Sequence, residues 1–487
     1  MASSLVPSFL LRLLFPAGRL LPLALLGLLT SAPATAQNAA TAERPTPGVL
    51  RFVEDWSPLR DPQLRTSALD SLKYIPLGQG DSYLSLGGNA RFLYERLENP
   101  RGPISDYYLT RLHLHADLRL TGGWRLFVQP ASALEHGSED ARGIDRDDLY
   151  LLNAFVEVPL LRDEKRSLTA RLGRFEMHYG DGRLITYRNP TNVRHYFEGL
   201  NLMYRQNRWN VDVFGVGFGR NRPGVFDNPV LDDPEWTWGT YARYALGGPD
   251  ADDGPFGAVA NDLAFFYYGH YDPRANFFNA SGDEIRHTFG THLDRQRNGW
   301  DYQFTLAGQF GRVGEQDATG LGASASAGRT WQLRDNASLR VAGLVDYWSG
   351  DRDSTDNRYQ GFNPLYPRNS YYRGIAAPWS SNFYDLRPLA SLTLGPVTLT
   401  TTSTWYWRAS AEDGFYLGWT GSPTLAPDEI TERYLGRQTE ASLRYAFAPN
   451  TYLLVVYSNF SAGRFVRENP TGAEVDHFVD VFVGWAF

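Results

Sequence analysis

The stretch Phe478-Val479-Asp480-Val481-Phe482-Val483-Gly484-Trp485-Ala486-Phe487 alternates residue by residue. Val479, Val481, Val483, Trp485 and Phe487 share one face, while Phe478, Asp480, Phe482, Gly484 and Ala486 share the other. A period of two belongs to a β-strand whose faces meet different surroundings. One face here holds only large apolar side chains and finishes on an aromatic. Transmembrane β-barrels use such strands, with outward side chains in lipid and aromatic residues at the interface. The last strand of a soluble sandwich would alternate in the same way. Other parts of the chain must separate the two.

The first 36 residues do so. They carry Arg12 and Arg19 but no acid, then an apolar run over 20–29, then Ala34-Thr35-Ala36 before Gln37. That is the pattern of a secretory signal peptide, so residues 1–36 are set aside from the fold. Their apolar core is too short for a membrane-spanning helix, and no later stretch approaches ~20 uninterrupted apolar residues. Export together with an aromatic terminal strand favours the barrel.

Composition agrees. Aromatic residues make up 14 % of a chain in which 21 % is charged, as suits a wall with one wet face and one oily face. The absence of cysteine excludes a disulfide framework, thiol catalysis and a thiolate metal site. The formal charge of −7 becomes −9 without the signal's two arginines, which argues against a nucleic-acid partner.

Residues 37–80 lack alternation and are broken by Pro45, Pro47, Pro58, Pro62 and Pro76. They read as a periplasmic tail or plug-like linker. The barrel is assigned to residues 81–487. Over 83–95, Leu84, Leu86, Ala90, Phe92 and Tyr94 oppose Ser85, Asn89, Arg91 and Glu95. Over 108–120, Leu112, Leu114, Ala116, Leu118 and Leu120 oppose Arg111, His113, His115, Asp117 and Arg119, and Gly122-Gly123 makes a tight turn. Trp300, Tyr302, Phe304, Leu306 and Phe310 oppose Asp301, Gln303, Thr305 and Gln309. Over 434–447, Leu435, Ala441, Leu443, Tyr445 and Phe447 oppose Gln438, Glu440, Ser442 and Arg444. Repeated segments of this kind predict an all-β, antiparallel transmembrane barrel of roughly 16–18 strands around an aqueous lumen. Short turns belong to the periplasmic side and long loops to the outside. The loops 217–236, 247–261, 351–382 and 409–433 are accordingly expected to be extracellular.

Several segments, in order, resemble the alginate-export porin family of Gram-negative outer membranes. They are Leu72-Lys73-Tyr74-Ile75-Pro76-Leu77 with Tyr83-Leu84-Ser85-Leu86-Gly87-Gly88, and Leu172-Gly173-Arg174-Phe175-Glu176 with Tyr179-Gly180-Asp181-Gly182-Arg183-Leu184-Ile185. Asn192-Val193-Arg194, Phe362-Asn363-Pro364-Leu365-Tyr366-Pro367, Tyr371-Tyr372, Trp407-Arg408-Ala409-Ser410 and Ser458-Asn459-Phe460 follow. Phe175 stands where a polar residue such as Gln is expected. The resemblance implies an outer-membrane porin that passes an anionic saccharide, such as an alginate-like polymer on its way out of the periplasm. It implies a barrel set in outer-membrane lipid and inserted by the barrel-assembly machinery.

An anionic polymer needs cations along its path, and the planar guanidinium fork of arginine suits carboxylates. Arg91, Arg111, Arg119, Arg171, Arg174, Arg183, Arg194, Arg243, Arg340, Arg387, Arg408 and Arg444 are available. The expected lumen set is Arg91, Arg111, Arg171, Arg174, Glu176, Arg183, Arg194, Arg408 and Arg444. Arg171 and Arg174 differ in parity, so both point inward only if Gly173 marks a bulge. The competing reading is that these charges pair across strands only to satisfy a wet wall. His113 and His115 could ligate a metal at this spacing, but a plain polar wall explains them as well. Asp351-Arg352-Asp353 begins like a calcium loop, which Thr355 and a missing glycine break. No catalytic residue, metal or cofactor is assigned. Two alternatives to export stay open: an uptake porin for small carboxylates or sugars, and an outer-membrane lipid hydrolase.

Overall fold

The computed structural model describes residues 45–78, 80–98, 105–137, 143–247, 261–368, 380–416, 423–427, 430–469 and 477–487. The signal segment, Tyr371-Tyr372 and most of 247–261 lie outside the described residues.

Eighteen strands form the wall among the described residues. They are β1 (Tyr83–Glu98), β2 (Ser105–Arg119), β3 (Arg125–His136), β4 (Asp147–Arg162), β5 (Arg166–Phe175) and β6 (Phe197–Gln206). Next come β7 (Trp209–Phe218), β8 (Trp236–Ala245), β9 (Asn261–Asn276), β10 (Ser281–Arg297), β11 (Trp300–Val313) and β12 (Gln316–Arg334). The last six are β13 (Ala337–Trp348), β14 (Phe383–Leu394), β15 (Val397–Trp407), β16 (Tyr434–Ala448), β17 (Thr451–Ala462) and β18 (His477–Ala486). Each pairs antiparallel with its neighbour in sequence, and β18 returns to β1 with Ala90 opposite Trp485 and Tyr94 opposite Val481. Closure removes the two free edges that an open sheet would leave in the membrane.

Alternation sets the two faces. Leu112, Leu126, Val156, Leu200, Val213, Phe265, Leu306, Val341, Leu399 and Val483 stand exposed on the outside. No water-soluble wall would present so continuous an apolar face, but lipid requires one. Trp124, Trp209, Trp300, Trp331, Phe447 and Trp485 ring the end that carries Tyr83 and Phe487. Turns there are tight. Asn298 and Gly299, with φ of 53° and 78°, form a two-residue hairpin between Arg297 and Trp300, a geometry that favours Asn-Gly. The long connections 176–196, 219–235, 349–382 and 408–433 lie at the other end.

Two expectations are corrected. Gly247 and Asn261, which flank the expected extracellular loop 247–261, stand at the end with the short turns. Leu435 does not share a face with Ala441. The ladder shifts register between Tyr406 and Trp407, which turns Leu435 inward, where it is buried with Phe465 and Tyr406.

Candidate functional site

The periplasmic end of the lumen is occupied by the segment that precedes β1. Phe52 wedges between Phe127 and Phe155, with ring centroids 6.0 and 5.6 Å away, and the Arg171 guanidinium lies 4.6 Å from its ring centre. Arg51 donates through Nη2 to the main-chain oxygen of Phe487 at 2.7 Å. Arg125 donates to the carbonyl of Phe52 at 2.7 Å and Arg194 to that of Val49 at 3.3 Å. Prolines make this segment a poor strand, but its apolar side chains need burial, and the inward aromatic residues of β3 and β4 supply it.

From the other end, residues 176–196 turn inward after β5. Arg91 donates to the carbonyls of Asn189, Pro190 and Thr191 at 3.0 Å each, and to Asn192 Oδ1 at 3.2 Å. Arg111 donates to the carbonyls of Asn189 and Thr191 at 2.9 Å each and to Asn189 Oδ1 at 3.1 Å. These two expected path residues therefore hold a loop through its main chain. Loop 349–382 runs beside it: the amide of Tyr366 donates to Leu184 at 2.8 Å, and that of Arg368 to Gly182 at 2.8 Å. The Tyr366 hydroxyl donates to Glu235 Oε1 at 2.6 Å. Burial pushes the Glu235 carboxyl up to about 8, so it is mainly protonated at neutral pH. Burial likewise pulls Arg188, on the inward loop, down to about 9.

Near the extracellular ends of β13 and β14 lies an arrangement that the sequence reading missed. Asp346 on β13 and Asp385 on β14 are direct cross-strand partners, both inward and both buried. Like charges in that position oppose pairing. Two arginines relieve it. Arg183 Nη1 reaches from the inward loop to Asp346 Oδ2 at 2.8 Å, and Arg387 Nη2 meets Asp385 Oδ2 at 2.9 Å. Shared inward parity on neighbouring strands was the available signal.

The other expected residues are scattered. Arg171 pairs with Glu157 at 2.6 Å and Arg194 with Glu176 at 2.7 Å. Arg174 does not face the lumen. Gly173 lies opposite Phe155 and Gly199 with no register shift, so Arg174 takes the outward face of Leu172 and pairs with Glu198. The four residues Arg171, Arg174, Glu176 and Arg183 thus take different partners instead of forming one cluster. Arg408 is enclosed by the carbonyls of Ala411, Asp413, Ile430 and Glu432, with its guanidinium 3.7 Å from the Phe465 ring centre. Arg444 points inward, exposed, 4.8 Å from the Tyr452 ring centre. His115 stacks on Phe127 at 5.6 Å, and His113 is fully buried. Asp351 accepts from Asn279 Nδ2 at 2.8 Å and Asp353 from the amide of Thr355 at 3.0 Å.

The filling is lopsided. Inward residues of β1 to β10, such as Ser85, Gln129, Asn153, Asn201 and Thr288, are buried. Those nearer the periplasmic ends of β12 to β17, including Ser326, Thr330, Ser391, Thr393, Thr398, Thr400, Ser442 and Arg444, remain reachable by solvent. Solvent-accessible hydroxyls therefore line the inner wall on this side of the barrel, on the strands that also carry Asp346, Asp385 and Arg387.

A sequence model of the alginate export family matches residues 82–228 and 255–480. The chain belongs to the alginate export family. No curated protein matches it in sequence. Among solved structures the fold is similar to Pseudomonas aeruginosa OccK2 (OpdF), crystallised in complex with glucuronate, at TM-score 0.54 and 12 % identity over 83 % of this chain and 98 % of that one. A BenF-like porin from Pseudomonas fluorescens Pf-5 superposes at TM-score 0.52 and 10 % identity, over 83 % and 98 % of the chains. Acinetobacter baumannii OccAB1 does so at 0.51 and 12 %, over 82 % and 96 %. At such identities the likeness establishes the fold: an outer-membrane porin-type barrel. The family member described here is therefore an outer-membrane channel of a Gram-negative cell.

Proposed function

We propose that this channel passes an anionic saccharide, in the first place an alginate-like polyuronate leaving the periplasm. Family membership motivates the substrate class, and one observation carries the site: Arg444 stands inside the barrel, exposed on a wall lined by accessible hydroxyls. Arg340, which pairs with Asp301 at 2.6 Å, lies along the same wall, and Arg387 and Arg183 stand toward its extracellular end. Hydroxyls exchange hydrogen bonds with sugar hydroxyls, while arginine forks meet carboxylates. Carboxylates paired to the arginines keep the polymer from binding too tightly to leave. Passive conduction asks for no catalytic residue and no cofactor, and insertion would rely on the terminal strand being read by the assembly machinery.

Recordings in planar bilayers test this reading. A salt gradient should give an anion-selective reversal potential, and a uronate oligomer added on the periplasmic side should block the current. Arg340→Gln with Arg444→Gln should shift selectivity toward cations, with less effect at 1 M salt, where screening acts within about 3 Å. A cation-selective parent, or a double variant of unchanged selectivity, would sink the assignment. A second reading, uptake of small carboxylates or sugars, is favoured by how far the inward segments narrow the lumen, and block by monomeric uronate alone would support it. Lipid hydrolysis without conductance would favour the enzyme.

A further inference from the structure

The wall has a local defect. β5 leaves the sheet at Phe175, so the upper part of β4 loses its neighbour there. The chain after β7 repairs it. The amide of Leu149 donates to Gly224 at 3.1 Å, and the amide of Phe226 donates back to Leu149 at 2.7 Å, adding a short parallel pairing with Val225. Three more ties hold this flap against the outside. Asn228 Nδ2 donates to Asp147 at 2.7 Å, Arg174 Nη2 to the carbonyl of Pro229 at 3.3 Å, and the amide of Leu231 to Glu198. Arg174 and Glu198 both lie on outward parity, so the flap crosses the exterior of the barrel at its extracellular end.

Apart from Asp227, its exposed side chains are the wrong kind for water. Phe226, Val230 and Leu231, with Leu172 on the wall beneath, are each between 54 % and 71 % exposed. Together with Ala154 and Leu151 they line most of a cleft of about 470 Å³, whose remaining wall includes the Arg174–Glu198 pair and Asn228. Leu172 belongs to the lipid-facing row, so the cleft is continuous with the surface already in contact with lipid. A large contiguous apolar patch calls for an apolar cover.

We propose that the flap 224–231 lies within the outer leaflet and that its cleft seats an acyl chain of an outer-leaflet glycolipid. The narrow, mostly apolar lining fits a hydrocarbon chain, and the continuity with the lipid-facing wall says where it comes from. Arg174, saturated by Glu198 and two carbonyls, fastens the flap and does not bind the permeant.

The natural chain has no cysteine, so one introduced thiol gives one site-directed spin label. Val230→Cys and, as an aqueous control, Arg222→Cys are to be labelled in full-length protein. The host is phosphatidylcholine vesicles containing lipopolysaccharide. Val230→Cys should collide with oxygen far more than with a nickel chelate, and Arg222→Cys the reverse. Native mass spectrometry should show a retained lipid A adduct that Ala154→Phe loses, with heat-modifiable migration confirming that the variant is folded. Nickel-chelate access at position 230 overturns the proposal. So does equal lipid retention in both proteins, or spin–spin broadening that reports a second copy of the chain covering the flap.

Discussion

Arg183 and Asp346 meet at 2.8 Å although they are 163 residues apart in sequence, with seven strands of the ring between their elements. One sits on the loop that follows β5, the other on β13. The contact is a strut across the lumen, and it also relieves the repulsion between Asp346 and Asp385. Both side chains are essentially removed from solvent. A fully stranded buried charge costs about 3–5 kcal/mol, and Arg183 keeps Asp181 at 3.3 Å, so the loss of Asp346 costs less than that. Asp346→Asn should therefore loosen the inward loop and raise single-channel conductance and its fluctuation. Unchanged conductance in bilayers would mean that the strut does not hold the loop.

Arg91 and Arg111 should govern the same loop from its other side. Their charged donors hold residues 189–192, and each such bond contributes about 1.5–3 kcal/mol, though not additively. Arg91→Gln with Arg111→Gln should expose that segment to protease in folded barrels. Cleavage mapped by mass spectrometry gives the answer, and full protection in the double variant would assign the hold to other contacts.

Phe52 should be the anchor of the segment at the periplasmic end. Truncating a buried phenylalanine costs about 3–5 kcal/mol. The barrel itself should survive Phe52→Ala, because closure depends on β1 and β18. The amides around residues 49–56 should then exchange hydrogen faster while those of β3 and β4 do not. Uniformly faster exchange would show that the segment is part of the barrel's own stability.

Glu235 should make stability pH-dependent in a defined direction. Its carboxyl rises from the ordinary value near 4.5 to about 8 in the fold. The folded state therefore holds a proton that the unfolded chain has released. The group's contribution is fully present below about pH 4.5 and is lost progressively as pH rises to about 8. Glu235→Gln should flatten that part of the profile of Tm against pH by roughly a few degrees relative to the parent. Parallel profiles would count against it.

The sequence by itself determined the barrel, the two faces of most strands, the aromatic interface and the family. All of these follow from a period of two, which is local: each residue's face is set by its neighbours alone. It also placed Arg91, Arg111 and Arg444 on the polar face of their strands. Only the tertiary structure decided what those arginines touch. Ladder register put Arg174 outside, because Gly173 carries no bulge, and it turned Leu435 inward, because Gly436 follows a shift. Residues 45–56, 176–196 and 349–368 have no period, so nothing local says that they fold into the lumen. The strut from Arg183 to Asp346 joins a loop to a distant strand, and such pairs exist only once the ring has closed.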